Sequence, residues 1–393
     1  MKTRMMWLGR VVLLILLACL GGLTLTADVS SGPAQPLVTS LVVPEQPLNI
    51  SASEMDSRYP ALSVADDIMH VVWEEELRVY HAFAVAGAWS TARSVAVGEQ
   101  PAVAVDSDGH AHVAFVNLFG GNYEVYYCYW TGTGWTLSRN VSNTSGVSSA
   151  PALAVAPDGT PHVVWADNTP GYSVIYHARW DGTYWLNEPV PHATGGAPAV
   201  AASGDGKVHV VWQDRDTPTA PYEIYYSCWD GHDWSLPENL SDSVAQPSII
   251  PSVAVDEAGR AHVGWQEKAD GQYAIYYTWG WVGYWSVSER VSVGESEAFL
   301  PSLATAQGGA VYVGWDESTL ALYRQRSTGG ERWSKPIPVI HDPKGVVDLR
   351  LAAGTNGQLH AVWGKRSERG RWDVFYQRLA YKVALPIIGR SWR

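Results

Sequence analysis

The sequence predicts an all-β fold, a seven-bladed β-propeller of four-stranded antiparallel blades, and three observations predict it. A unit that runs from Pro251 through His262, Trp265, Glu267, Tyr276, Tyr277, Trp285 and Ser286 recurs along the chain. Its histidine falls at His70, His112, His162, His209, His262 and His360, with Tyr312 in the sixth copy, at spacings of 42, 50, 47, 53, 50 and 48 residues. A period of about 40–50 residues made of strands and turns is the mark of a propeller, one blade per repeat. Second, Gly-containing turn signals separate short apolar runs throughout. Third, no stretch after residue 27 keeps helical periodicity over 11 residues.

Each element of a repeat has its reason. The first strand is short and apolar, as in Pro251-Ser-Val-Ala-Val-Asp256. A tight turn follows, Asp106-Ser-Asp-Gly109, Pro157-Asp-Gly159 or Glu257-Ala-Gly259, with Gly where hairpins need positive φ. The second strand reads His-Val-x-Trp and the third x-Ile/Val-Tyr-Tyr/His. A fourth strand opens at Trp89, Trp135, Trp185, Trp234, Trp285 or Trp333. Apolar residues on both faces suit strands covered by neighbouring blades on each side. The seventh copy has Leu349, His360, Trp363 and Tyr376 but no Trp-Ser strand. Pro47-Leu-Asn49-Ile-Ser51 matches the fourth-strand segment Pro237-Glu-Asn239-Leu-Ser241, so residues 43–51 are expected to close the last blade. That pairing removes an edge open to aggregation.

The domain reading is a leader at 1–27, a linker at 28–42, the propeller at 43–380 and a tail at 381–393. Lys2, Arg4 and Arg10 precede the apolar run Val11–Leu25, the pattern of an export signal. Cleavage after Ala27, lipidation of Cys19 within Leu16-Leu17-Ala18-Cys19, and an uncleaved anchor all remain open. Each places the rest of the chain outside the cytoplasm, at the cell surface or beyond it, with membrane contact only through the N-terminal segment. Net charge is −12, and −15 after residue 27, which argues against nucleic acid and anionic lipid as partners. A monomer is expected. Cys128 and Cys228 fall on third strands of non-adjacent blades and face opposite sides, so no disulfide is expected, and no CxxC pattern implies zinc.

Two residues after the second-strand Trp stands an acid in five blades: Glu75, Asp167, Asp214, Glu267 and Glu317. Asn117 and Lys365 hold the place in the other two, and Glu74 and Asp316 add neighbouring acids. As a ring at one channel mouth these carboxylates suit sugar hydroxyls, or Ca²⁺, which takes six to eight oxygens. Taken singly, each reads as a solvated strand end or a brace to nearby backbone. The histidines sit on separate blades and do not converge on an ion, so inter-blade hydrogen bonding is the expectation and no metal site is assigned.

At Ser227, Asp230, Gly231 and Trp234, echoed by Thr183 and Trp185, the chain resembles the sialidase-like propellers with bacterial neuraminidase repeats, whose Asp-box occupies this turn. The acid stands one place late, and Trp281-Val-Gly283 and Thr328-Gly-Gly330 lack it. The resemblance covers about residues 43–380; the blades are also similar to those of fucose-binding propeller lectins. It implies a propeller, often one that handles carbohydrate, with the Asp-box acting as a turn brace rather than a catalytic group. A sialidase of this class needs three arginines for the substrate carboxylate; Arg58, Arg215 and Arg369 are the candidates, with Arg366 or Arg371 as alternates to Arg369. Sialidase propellers have six blades where this chain has seven, and Tyr222-Glu223 and Tyr123-Glu124 point to opposite sides of their strands. The expectation is therefore an exported propeller that binds glycan or another polar ligand at the acid-lined mouth. The alternatives are a sialidase-like hydrolase and a scaffold for protein partners.

Overall fold

The computed structural model describes residues 46–243, 246–327 and 332–379; the expected leader, linker and tail lie outside these residues. Seven antiparallel sheets follow one another along the chain. Their inner strands are Ser57–Ala65, Glu99–Val105, Ser148–Val155, Gly196–Ala202, Ser248–Val255, Phe299–Ala306 and Val346–Ala353. Each inner strand packs on the next, and that of blade 1 packs on that of blade 7, so the ring is closed. The turn face carries the turns from first to second and from third to outer strands. The loop face carries the loops from second to third strands and the links between blades.

There are seven apolar clusters, one at each blade junction. Each is built round a fully buried second-strand aromatic: Trp73, Phe115, Trp165, Trp212, Trp265, Trp315 or Trp363. The repeated histidine works beside them. His112, His209, His262 and His360 bond through Nδ1 to the hydroxyls of Tyr127, Tyr226, Tyr277 and Tyr376 at 2.6–2.9 Å. His70 and His162 bond instead to His81 and His177, at 2.8 and 3.0 Å. These bonds run between strands of one blade; the inter-blade bond that the sequence suggested is made by His70, whose Nε2 meets the Gly109 carbonyl of blade 2 at 3.1 Å. The histidine and its Nδ1 partner belong to neighbouring strands of one hairpin, which sets their rings within reach of each other.

What crosses to the next blade is an aromatic contact. The third-strand ring meets the outer-strand Trp of the following blade edge to face: His81–Trp135, Tyr127–Trp185, His177–Trp234, Tyr226–Trp285, Tyr277–Trp333 and, across the closure, Tyr376–Trp89. Centroids lie 4.7–5.2 Å apart, the range in which such pairs add about 0.5–1.5 kcal/mol beyond burial. Among the described residues the junction of blades 6 and 7 lacks this pair, because the outer strand of blade 7 is Leu48–Asn49.

That short strand pairs with Trp372–Leu379, Leu48 opposite Tyr376 and Asn49 opposite Phe375. Its side chains repeat a device used elsewhere. The Ser51 hydroxyl accepts the Val374 N–H at 3.0 Å, as Ser142 accepts from Val125, Ser241 from Ile224 and Ser292 from Ile275. Asn49 Oδ1 accepts the Ala52 N–H at 2.8 Å and its amide donates to Asp373 at 3.1 Å. Ser51→Ala and Ser142→Ala should therefore each lower the unfolding free energy by about 1 kcal/mol. Denaturant midpoints check this; a Ser51→Ala variant as stable as the parent would mean the N-terminal strand adds nothing to blade 7.

One feature had no expectation behind it. Every inner strand carries a bulge whose residue has positive φ: Tyr59, Gln100, Ala150, Ala197, Ile250, Leu300 and Asp348, at 48° to 58°. Six of these precede a Pro, from Pro60 to Pro301, and the seventh precedes Leu349. Pro cannot donate to a ladder and is tolerated at a bulge. The left-handed conformation costs a non-Gly residue of order 1–3 kcal/mol, so surrounding contacts must impose it. In four junctions the residue after the second-strand Trp supplies such a contact. Glu74, Gln213 and Gln266 accept the N–H groups of Gln100, Ile250 and Leu300 in the next blade, at 2.9–3.2 Å, and Asp316 accepts that of Leu349 at 3.3 Å.

Candidate functional site

The five sequence-predicted acids end second strands near the loop face, and their oxygens are engaged by side chains of their own blade and of the segment that arrives from the preceding one. Asp167, 1% exposed, accepts from the hydroxyls of Thr144 and Ser148 at 2.7 and 2.8 Å, from Thr169 N–H and from the Trp165 indole. Burial alone would raise its pKa, but the hydroxyls of Thr169, Thr144 and Ser148 outweigh it and hold the carboxyl below its ordinary range. Glu267 accepts from the Trp265 indole at 2.9 Å and from Ser248 at 3.2 Å, and burial pushes its pKa up. Glu317 accepts the Trp315 indole at 2.8 Å. Glu75 is held by Ser53 and Ser57, and Asp214 by Thr194 and the Arg215 N–H. In blades 3, 5 and 6 the acid fixes the second-strand Trp, and in blades 1, 3 and 5 the first-strand Ser. In blades 2, 4 and 7 a third-strand acid fixes the outer-strand segment: Glu124 takes Ser142, Glu223 takes Ser241, and Asp373 takes Asn49.

Each of the three candidate arginines has a partner close to its own loop. Arg58 pairs with Asp56 at 2.9 Å, and Arg369 pairs with Glu54 in the segment that enters blade 1. Arg371 also reaches Glu54, at 3.6 Å. Arg215 lies in blade 4, over the Tyr222 ring at 4.9 Å and bonded to the Pro218 carbonyl. Arg58 belongs to blade 1, Arg215 to blade 4, and Arg369 to the loop between the second and third strands of blade 7.

On the turn face, clefts recur at the blade junctions. Between blades 2 and 3 the lining includes His112, Tyr129, Arg139, Trp180 and Trp185, with Arg139 over the Trp180 ring at 4.9 Å. Between blades 3 and 4 it includes His162, Arg179, Asp181, Trp229 and Asp230, with Arg179 over Trp229 at 5.4 Å. The cleft between blades 4 and 5, about 510 Å³, is lined by His209, Tyr226, Lys207, Asp233, Trp281 and Val282. The cleft at the closure, about 660 Å³, includes Trp89, Asn356, Gln358, His360 and Tyr376. Each combines aromatic walls with a few fixed polar groups, the composition of small-molecule sites.

Turn chemistry builds the rims. Asp181 and Asp230 each accept two backbone N–H groups of their own turns through Oδ1, which lowers both pKa values. Asp106, Asp108 and His110 form a compact group in the first turn of blade 2. In blade 5 the matching Asp256 holds Arg260 at 2.6 Å and His262 at 3.2 Å, so the Asp braces a cationic or imidazole neighbour in both blades. Cys128 and Cys228 are buried thiols, raised to about 12 and about 11 chiefly by burial. The clefts were not foreseen. Their signal lay in the repeated outer-strand Trp read together with the variable turn beside it.

No family model matches this sequence, and no curated protein matches it. Solved structures do. An ulvan lyase of polysaccharide lyase family PL25 overlays with a TM-score of 0.61 at 11% identity, covering 84% of this chain and 95% of that one. The polysaccharide lyase Uly1 overlays at 0.52 with 14% identity, covering 84% and 90%. The Hadza microbial sialidase Hz136 overlays at 0.49 with 13% identity, covering 80% and 74%. At these identities the likeness is one of fold. The fold defines a class, the seven-bladed β-propellers.

Proposed function

We propose that this chain is an exported carbohydrate-binding propeller that offers several ligand sites at its blade junctions. The observation that carries the reading is the recurrence, at four junctions, of a cleft walled by Trp or Tyr and rimmed by fixed polar side chains. Rigid aromatic faces stack on sugar rings, and turn-held carboxylates and amides meet hydroxyls. The basic and apolar leader supports export. Polysaccharide lyases, one of them solved with -[GlcA(1-4)Rha3S]- bound, share the fold, which supports a carbohydrate ligand over a protein one. Arg58 and Arg369 are each paired with an acid of the segment that enters blade 1, Asp56 and Glu54, which favours binding over sialidase chemistry. Several weak sites on one rigid ring would act together on a polymer.

A glycan array probed with the purified chain tests this. Binding to a defined group of glycans, with no release of free sugar from a fluorogenic sialoside, is the expected result. An array without bound glycan would overturn the reading, and sialoside turnover lost on Arg58→Ala would replace it with the hydrolase.

A further inference from the structure

The repeat is its own control, because each junction shows what the others would look like with one residue changed. Two differences between blades meet at the cleft between blades 4 and 5; an acid stands six residues before the repeated histidine only in blades 2 and 5. The first concerns the buried histidine. In blades 2 and 5 the second ring nitrogen is occupied: His112 Nε2 lies 3.3 Å from Asp106 and His262 Nε2 lies 3.2 Å from Asp256. In blade 1 the His70 Nε2 meets the Gly109 carbonyl at 3.1 Å. Blade 4 has Ser203 where blades 2 and 5 have Asp106 and Asp256. Ser203 turns to Asp205, and Asp205 is held by Lys207 at 2.5 Å. His209, 2% exposed, therefore bonds Tyr226 through Nδ1 at 2.9 Å and has no protein partner at Nε2. A buried polar atom left so destabilises the fold unless something fills the place.

The second difference is the wall. The third-to-outer turn is acidic in blades 3 and 4, with Asp181 and Asp230. Blade 5 has Trp281-Val-Gly-Tyr284 instead. The Trp281 and Tyr284 rings stack on each other at 5.0 Å and 26°, and 47% and 50% of these residues is exposed. A large, half-exposed aromatic pair costs solubility and is unusual on a surface unless it serves contact.

Resting on the carbohydrate reading above, we propose that the cleft between blades 4 and 5 is a binding site for a neutral hexopyranose, with Trp281 as the stacking wall and His209 Nε2 as the polar contact on its floor. A sugar hydroxyl both donates and accepts, so it satisfies Nε2 in either tautomer of the imidazole. Burial pushes the His209 pKa down to about 4, so the ring is neutral and has no preference for an anion. The rim, Asp205, Asp230 and Asp233 against Lys207, disfavours uronates and sulfated sugars.

The test is calorimetric titration of the full chain with the methyl glycosides of glucose, galactose and mannose, and with glucuronic acid as the acidic probe. Three variants accompany it. Trp281→Ala removes the wall from an exposed hairpin. Ser203→Asp restores the partner that blades 2 and 5 give their histidines, and so fills the Nε2 position without disturbing the fold. Tyr184→Ala, the matching hairpin of blade 3, is the control. The expected result is that one or more neutral glycosides bind, that Trp281→Ala and Ser203→Asp each weaken that binding about tenfold or remove one class of site, and that Tyr184→Ala leaves it alone. A Ser203→Asp variant that melts no lower than the parent shows that the loss is not unfolding. Neutral sugar binding that survives both changes would overturn this assignment while leaving the carbohydrate reading intact. Tighter binding of glucuronic acid would overturn the neutral class. No sugar binding by the parent, in titration and on the array, would overturn both.

Discussion

Trp265→Ala should lower the free energy of unfolding by about 3–5 kcal/mol, the range for deleting a large buried aromatic from a core that cannot collapse round the cavity. Trp265 is fully buried between blades 4 and 5, against Val211, Ile224 and Tyr226. Its indole also donates to Glu267, whose pKa burial already raises. The loss therefore adds an under-bonded carboxylate to a cavity. The comparison with blade 4 separates these two terms. Trp212 is equally buried, but its indole nitrogen has no protein partner. Trp265→Phe should thus cost more than Trp212→Phe by about 1.5–3 kcal/mol, the worth of a hydrogen bond to a charged group. Denaturant midpoints of the three variants measure it. Equal costs for the two Phe variants would mean that the Trp–acid pair does not brace the strand end.

Acidification from pH 6.5 towards 4 should destabilise the propeller progressively, beginning above the range in which ordinary carboxylates titrate. Burial lowers the pKa of His70, His81, His112, His162, His177, His209 and His360. For His209 and His360, each bonded to a tyrosine, the value falls to about 4. The sign follows from proton counts. Between pH 6.5 and about 4 the unfolded chain protonates these rings and the native chain does not. Stability is therefore complete above pH 6.5 and falls as pH drops through that window, by up to about 1.4 kcal/mol per pH unit for each ring. Asp316 acts in the opposite direction: burial, with Asp348 nearby, raises it to about 7, so it favours the folded state as pH falls below that value. Burial raises Glu74, Glu267 and Asp373 as well, so four carboxyls oppose seven imidazoles, and the sum is acid-labile. Melting temperature followed by circular dichroism from pH 8 to 4 tests this. Replacing both His162 and His177 with Phe removes two titrating rings that stack at 5.3 Å and should shift the acid transition to lower pH. A melting temperature constant across the window would show that the rings are protonated in the native state.

Both predictions draw on positions that are periodic in the sequence. The buried Trp, its His and the acid two residues on could be aligned by eye, as could the turn glycines. What each does could not be. The acid series looked like a ligand ring because the alignment counts side chains along one strand; Ser148 and Ser248, which engage Asp167 and Glu267, come from the neighbouring strand. The histidines looked inter-blade for the same reason; the Nδ1 partners sit one hairpin away, and His70 alone among the described residues also reaches the next blade, at Gly109. The left-handed residue before each inner-strand Pro had no legible signal, because the residue before a Pro is ordinarily extended. Only packing against the preceding blade holds it otherwise. The difference at Ser203 was visible as a change in a turn, but its consequence depends on where Lys207 carries Asp205.

The sequence by itself determined the architecture. A repeat that cannot bury its apolar faces alone must stack on its neighbours, and seven copies with a missing outer strand and a matching N-terminal segment specify how many blades there are and which segment completes the last. The tertiary structure decided which polar groups are spent holding that architecture and which face a cleft. That division rests on hydrogen bonds between strands and contacts between blades, where a shift of one residue in register or one substitution in a turn moves a donor from one partner to none.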